Sequence, residues 1–140
     1  MKEVGLPGQQ KLKAAKVILI GAGGLGSPAS LYLSGAGIGT LGLVDADSVD
    51  ESNLHRQVIH NEERLGMKKT LSAKTAISAF NRHVNVVTYE TRFTGQNAMQ
   101  ILKEGGWQVV VDGSDNAATR YLISDACVIA GLPLVSGSAL

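Results

Sequence analysis

A chain of 140 residues suits one domain at most, and with 44% apolar and 18% charged residues it can bury a sizeable core. A formal net charge of +1, with no basic stripe and no aromatic platform, argues against a nucleic-acid partner, and no apolar run approaches the length of a membrane span. The single cysteine, Cys127, excludes an intrachain disulfide and a cysteine-built zinc cluster within these residues; with no signal-peptide layout, it makes a reducing cytoplasmic setting the expectation.

In chain order, residues 17–20 read as a fully apolar strand closing on Gly21, and residues 25–34 as a helix with Ser27-Pro28 near its start and Gly35, Gly37 and Gly39 at its end. Residues 41–45 form a second strand that ends on Asp45. Residues 47–65 are polar and mostly irregular. A helix is predicted over 67–80 with Ala73, Ala76, Ile77 and Phe80 on its inner face, then a strand over 84–89, a short helix over 97–102 and a strand over 108–112 that again ends on aspartate. The clearest amphipathic helix spans 116–130. Leu122, Ile123, Ala126, Cys127 and Ala130 make its apolar stripe, Gly131 and Pro133 stop it, and a last strand begins at Pro133. On that stripe Cys127 reads as a packed thiol rather than a nucleophile. Continuous apolar strands in βαβαβαβ order imply a Rossmann-like α/β fold, a mostly parallel sheet covered by helices on both faces. The last strand has no closing element after it, so a larger fold is expected, with the sheet incomplete at its C-terminal end.

In such sheets ligands lie beyond the carboxyl ends of the strands, where Asp45, Asp112 and the stretch Gly21-Ala22-Gly23-Gly24-Leu25-Gly26 fall. The spacing is G-x-G-x-x-G. Gly21 permits the tight turn, Gly23 lets the backbone approach a phosphate, and Gly26 allows close helix–sheet contact. Asp45 stands where a carboxylate accepts from ribose hydroxyls. This much serves a dinucleotide or ATP equally. The polar segment that follows favours ATP: hydride transfer moves no phosphate, whereas cleavage between the α- and β-phosphates builds negative charge. Arg56 and Lys69 could neutralise that charge, Asn53 could donate to a phosphate oxygen, and Asp115 could hold Mg²⁺. The residue types alone leave plainer readings open: a solvated Arg56, an exposed Lys69 beside Lys68, Asp115 as a helix cap, Asp47 as a turn residue. His55 and His60 lack a carboxylate set with ligand spacing and do not point to a metal.

Taken together, Gly21-x-Gly23-Gly24-Leu25-Gly26, Gly37-Ile38-Gly39, Leu43-Val44-Asp45-x-Asp47, Ser52-Asn53-Leu54-His55-Arg56-Gln57 and Asp112-Gly113-Ser114-Asp115-Asn116 resemble the ubiquitin-activating superfamily. Within it the chain is similar to the adenylyltransferases of molybdopterin synthase and thiamine synthesis (the ThiF–MoeB branch). His55 and the C-terminal string from Gly131 to Leu140 lean toward the eukaryotic activator of a ubiquitin-related sulfur carrier. The match runs over essentially the whole chain.

The resemblance implies ATP and Mg²⁺ as cofactors. The reaction it implies is adenylation of the C-terminal glycine of a ubiquitin-like sulfur-carrier protein ending in Gly-Gly, with release of pyrophosphate. It assigns Gly21, Gly23, Gly24, Gly26, Asp45, Asp47, Asn53, Arg56, Gln57, Lys69, Asp115 and Asn116 to the nucleotide. Of these, Arg56, Lys69 and Asp115 would act in catalysis, and Asp115 would hold the metal. It also implies a homodimer, with a contact from Leu6, Leu12 and the helix after the glycine loop. Three further parts expected of the family have no counterpart within 1–140: an arginine-bearing segment ahead of Met1-Lys2-Glu3-Val4-Gly5, the CxxC pairs for structural zinc, and a rhodanese-like domain. Residues 1–140 are accordingly expected to be a partial adenylation domain, truncated at both ends. Two other readings stand beside this one, a NAD-dependent oxidoreductase domain and a non-catalytic nucleotide- or partner-binding fragment.

Overall fold

The computed structural model describes residues 4–138; Met1-Lys2-Glu3 and Ala139-Leu140, at the two ends of the resemblance, lie outside the described residues. Five strands, β1 (Lys16–Ile20), β2 (Thr40–Val44), β3 (Asn85–Tyr89), β4 (Val109–Asp112) and β5 (Leu134–Ser136), alternate with helices α1 (Gly5–Ala14), α2 (Gly26–Gly35), α3 (Lys69–Phe80), α4 (Ala98–Glu104) and α5 (Ala117–Ala130). All four strand pairings are parallel, in the order β3-β2-β1-β4-β5. The expected three-layer α/β fold is therefore present, and each predicted strand and helix lies within a few residues of its expected place.

The pleat of β1 divides the core in two. Val17 and Leu19 face one side with Leu41, Leu43, Ala73 and Ile77, against α2 and α3. Ile18 and Ile20 face the other with Val110, Ile101, Ile123 and Cys127, against α4 and α5. From β1 the chain builds outward to β2 and β3, then crosses back to the other side of β1 for β4. Parallel crossovers keep one hand, so this reversal carries the later helices to the opposite face. It also opens a crevice between β1 and β4 at their carboxyl ends. Register sets those ends level: Tyr89, Val44, Ile20, Asp112 and Ser136 are successive partners across the sheet. Among the described residues, no helix is long and apolar enough to cross a membrane.

Two features differ from the sequence reading. Helix α1 was not expected, because Gly5, Pro7 and Gly8 crowd its first turns. Proline is tolerated there, since the first-turn amides have no helical partner in any case. The helix buries no residue fully; Gln9 Nε2 donates to the Ala36 carbonyl at 3.0 Å, and Leu12 rests on the core's edge. The second difference is Phe80, which was expected on the inner face of α3 and is 60% exposed. Ala73 and Ile77 take the inward positions with Thr70 and Ser72, and the Phe80 ring lies instead over Gly35 at the sheet's rim.

The turn after β1 is a backbone-on-backbone contact. Gly21 has φ +97°, and a Cβ on Gly26 would stand 1.9 Å from the Gly21 carbonyl oxygen. Gly24 differs, since a Cβ there would meet only the Arg56 side chain at an ordinary 3.6 Å. Replacement Gly26→Ala is therefore expected to lower stability by about 2 kcal/mol or more, and Gly24→Ala by no more than about 0.5 kcal/mol. Urea unfolding midpoints of the two variants check this, and equal midpoints would refute the distinction.

Candidate functional site

The level strand ends gather five loops around one open cleft of about 990 Å³. Gly21, Gly23, Gly24 and Leu25 come from the β1–α2 turn, and Asp45, Ala46 and Asp47 from the end of β2. Arg56, Gln57 and Lys69 come from the long crossover, and Gly113 to Asn116 from the loop after β4.

The glycine loop forms the floor. Ala22 N–H donates to Asp45 Oδ2 at 2.8 Å, and Asp47 N–H donates to Asp45 Oδ1 at 2.8 Å, which locks the carboxylate against both loops. Each oxygen keeps a further acceptor position, and Asp45 lines the cleft. A Cβ on Gly23 would lie 3.6 Å from Gln57 Nε2, and one on Gly24 3.6 Å from Arg56 Cδ. Protein packing therefore does not demand glycine at these two positions. The missing side chains leave a cradle in the cleft wall, and among the described residues the Gly23 and Gly24 amides donate to no protein acceptor.

The cationic wall is built by the crossover. Asp50 caps the short 3₁₀ turn Glu51–Asn53, and hydrogen bonds from the Ser52 hydroxyl and the Ser52 N–H hold its carboxyl below the ordinary range. The turn presents Asn53 behind Arg56: Arg56 Nη2 donates to Asn53 Oδ1 at 2.7 Å, and Nη1 lies 3.3 Å from His55 Nε2. Arg56 itself forms the wall; Asn53 is not part of the lining and orients Arg56 from the rear. Gln57 is buried against Gly23. Backbone bonds between residues 47–49 and 66–69 bring the start of α3 to Asp47. There Lys69 is buried, with Nζ 3.5 Å from Asp47 Oδ2, whereas the neighbouring Lys68 turns away to the Ala46 carbonyl. Lys69 is thus no exposed surface lysine.

The opposite wall depends on Asp112. Its buried carboxylate was expected among the groups at the strand ends, yet it faces inward and is absent from the lining. Oδ1 accepts from Ser114 N–H and Oγ–H, and Oδ2 from Ser136 Oγ–H, so it fixes the loop to β5. Asn116 takes the capping role of α5, with Oδ1 accepting from Thr119 N–H at 2.9 Å. That leaves the exposed Asp115 carboxylate to the cleft.

Sequence reasoning missed Thr91, Arg92 and Arg120, which also line the cleft. Arg120 Nη2 donates to the carbonyls of Ser114 and Gly137. No local motif marks these residues; only the strand order brings the loop after β3 to the same rim. Also missed was His60, buried beneath the glycine loop, with Nε2 3.1 Å from the Ala22 carbonyl and Nδ1 2.8 Å from Ser72 Oγ. Cys127 is buried, and burial together with the Asp112 charge pushes its thiol up, which makes it a poor nucleophile. Among the described residues, no group of three or more histidine, cysteine or carboxylate side chains is placed to hold a metal.

Against known proteins, a model of the ThiF family matches residues 1–140. The chain is 56% identical over 138 residues to the adenylyltransferase and sulfurtransferase MOCS3 of Dictyostelium discoideum, covering 99% of this chain and 32% of that protein. It is 54% identical over 138 residues to the adenylyltransferase and sulfurtransferase uba4 of Aspergillus fumigatus, covering 99% of this chain and 28% of that protein. The chain thus spans about a third of the length of the curated relatives it matches. Among solved structures, E. coli tRNA N6-threonylcarbamoyladenosine dehydratase, TcdA, in complex with ATP superposes with a TM-score of 0.91 at 27% identity, over 96% of this chain and 55% of that one. E. coli MccB with MccA gives 0.86 at 28% identity, over 94% and 39%.

Burial is the main cause that pushes the His60 pKa below 6.5, and the nearby Lys69 and Arg64 charges add to it; the Ala22 hydrogen bond and Asp45 oppose them. The folded protein therefore gives up the ring proton at a higher proton concentration than the unfolded chain, which takes it up near the ordinary value. More protons bound in the unfolded state means stability that is present above about 6.5 and declines as the pH falls below it. His60→Gln, which cannot titrate, should flatten the curve of unfolding free energy against pH between about 7 and 5. Parallel curves for the two proteins would show that His60 is not the group responsible.

Proposed function

The chain belongs to the ThiF family, and from that premise we propose that its cleft binds ATP and adenylates the C-terminal glycine of a ubiquitin-like sulfur-carrier protein. The carriers would serve molybdopterin synthesis or tRNA thiolation. One observation carries the reading: an open glycine cradle at Gly23 and Gly24 faces a wall containing both Arg56 and a buried Lys69. Hydride transfer builds no charge on phosphate oxygens for these cations to offset, and a purely structural glycine turn would leave no cradle.

In the proposed reaction a carboxylate oxygen of the carrier attacks the α-phosphorus, forming a C–O–P link, and the bond from that phosphorus to the bridging oxygen breaks to release pyrophosphate. Two anions must meet, so the site's contribution is charge and alignment rather than a covalent nucleophile. Asp45 would hold the ribose, with its orientation fixed by the Ala22 and Asp47 amides. The Gly23 and Gly24 amides and Gln57 would border the phosphates. Arg56, steadied by Asn53, and Lys69, beside Asp47, would offset the charge that collects on the α- and β-phosphate oxygens. Asn116 caps α5 and leaves the Asp115 carboxylate in the cleft lining, where it would be the residue to hold Mg²⁺. Mg²⁺ commonly takes only one or two protein carboxylates and fills its remaining positions with phosphate and water, which suits this donor set; bound there, it would neutralise the leaving pyrophosphate.

The test is ATP–pyrophosphate exchange with labelled pyrophosphate and a panel of carriers ending in Gly-Gly. Exchange is expected to depend on one carrier, and to fall by about 10²–10³ in Arg56→Ala and in Asp115→Ala. Exchange with no carrier, from a chain that still binds ATP, would overturn adenylation by these residues and leave only nucleotide binding.

A further inference from the structure

We propose that His60 is a positioning residue for the glycine loop: through the Ala22 carbonyl it holds the Ala22–Gly23 peptide so that the Gly23 N–H faces the cleft. The inference rests on the ATP reading of that cleft.

Ala22 is buried and forms no part of the cleft lining, while Gly23 does. The two peptide groups that flank Ala22 are held separately. On one side its N–H donates to Asp45 Oδ2 at 2.8 Å. On the other its carbonyl accepts from Ser27 Oγ–H at 3.3 Å and faces His60 Nε2 at 3.1 Å. A carbonyl can only accept, so His60 Nε2 carries the proton. In the neutral Nε2–H tautomer Nδ1 accepts the hydrogen bond of the Ser72 hydroxyl, whose oxygen lies at 2.8 Å. Ser72 Oγ in turn accepts from Arg64 Nε at 3.0 Å, and Arg64 Nη2 donates to the Ile59 carbonyl at 2.8 Å. Each donor in this chain has an acceptor, and one tautomer satisfies the whole arrangement.

The consequence follows from the planarity of the peptide. No cis bond occurs among the described residues, and in a trans peptide the C=O and the following N–H point in opposite directions. With the Ala22 carbonyl drawn inward to His60, the Gly23 N–H points outward into the cleft, where a phosphate oxygen would accept it. Without that donor only the longer Ser27 hydroxyl bond at 3.3 Å holds the carbonyl, and glycine at position 23 tolerates either orientation of the plane. Asp45, Lys69 and Arg64 are the charged groups around the ring. Asp45 can only accept, and Lys69 and Arg64 would have to leave Asp47 and the Ile59 carbonyl to donate to Ala22.

The variants His60→Phe, which keeps the ring's bulk, His60→Asn, too short to reach Ala22, and His60→Gln, which can present a donor near the Nε2 position, separate orientation from packing. ATP binding by calorimetry and the Gly23 amide resonance of the nucleotide-free chain are the readouts. Phe and Asn are expected to weaken ATP binding by about tenfold or more and to shift the Gly23 amide, with Gln within about threefold of the parent. Should the Phe variant fail to fold, the comparison of Asn with Gln decides. Wild-type affinity and an unmoved Gly23 amide in the Asn variant would overturn the proposal, as would an Nδ1-protonated ring in the ¹⁵N spectrum of the parent. A parent chain that binds no ATP would refute the nucleotide reading instead, and the amide resonance alone would then judge His60.

Discussion

The site depends on the parallel register that ends five strands in one row, Tyr89, Val44, Ile20, Asp112 and Ser136. A register slip of one residue turns inward side chains outward; here both faces of the sheet are packed, so a slip would misplace Val17 and Leu19 together with Ile18 and Ile20. The core therefore defends the register from both sides. Each loop leaves its strand at the same height, and groups far apart in sequence, such as Asp45, Lys69, Arg92 and Asp115, meet across one cleft without any of them having to reach.

Given that row, the polar groups divide between those that hold the loops and those that face the ligand space. Asp112 is buried, accepts three hydrogen bonds and ties the loop after β4 to β5. Asn116 caps α5. Asn53 sits behind Arg56. Asp45 does both, since its two oxygens clamp the glycine loop and the residue-47 turn while it lines the cleft. Lys69 is the costly member. A buried amine loses hydration, and the Asp47 carboxylate at 3.5 Å offsets only part of that loss, because Asp47 is itself exposed and screened. Such a side chain lowers stability unless something else repays it, and an anion arriving in the cleft would.

Much of this was legible in the chain because it is written locally. Continuous apolar runs marked the three inner strands β2, β1 and β4, Gly131 and Pro133 marked the end of α5, and the glycine spacing marked the turn. What escaped depends on distance. Helix α1 is stabilised by docking at Ala36 and at the core's edge rather than by its own sequence, which Gly5, Pro7 and Gly8 weaken. Phe80 fitted the helical period yet fell beyond the sheet's rim, which no period records. Arg92 carries no motif and enters the cleft only through the strand order, while Arg120 reaches it from the first turn of α5, where no motif marks it. His60 looked like an isolated histidine in a polar segment; its partners Ala22 and Ser72 lie 38 and 12 residues away.

The glycine motif shows the same division in a single stretch. By spacing alone its glycines are equivalent, and the motif serves NAD and ATP alike. Geometry separates them. Gly21 and Gly26 are glycines for the fold: a side chain on either would strike backbone, at Gly113 for Gly21 and at Gly21 for Gly26. Gly23 and Gly24 are not, since side chains there would touch only Gln57 and Arg56 at ordinary distances. A glycine that the protein does not need for its own packing is explained by something outside the protein. The groups facing that space, an arginine and an amide, are donors suited to phosphate oxygens. Any preference between nucleotides therefore lies less in the glycines than in the crossover laid across them.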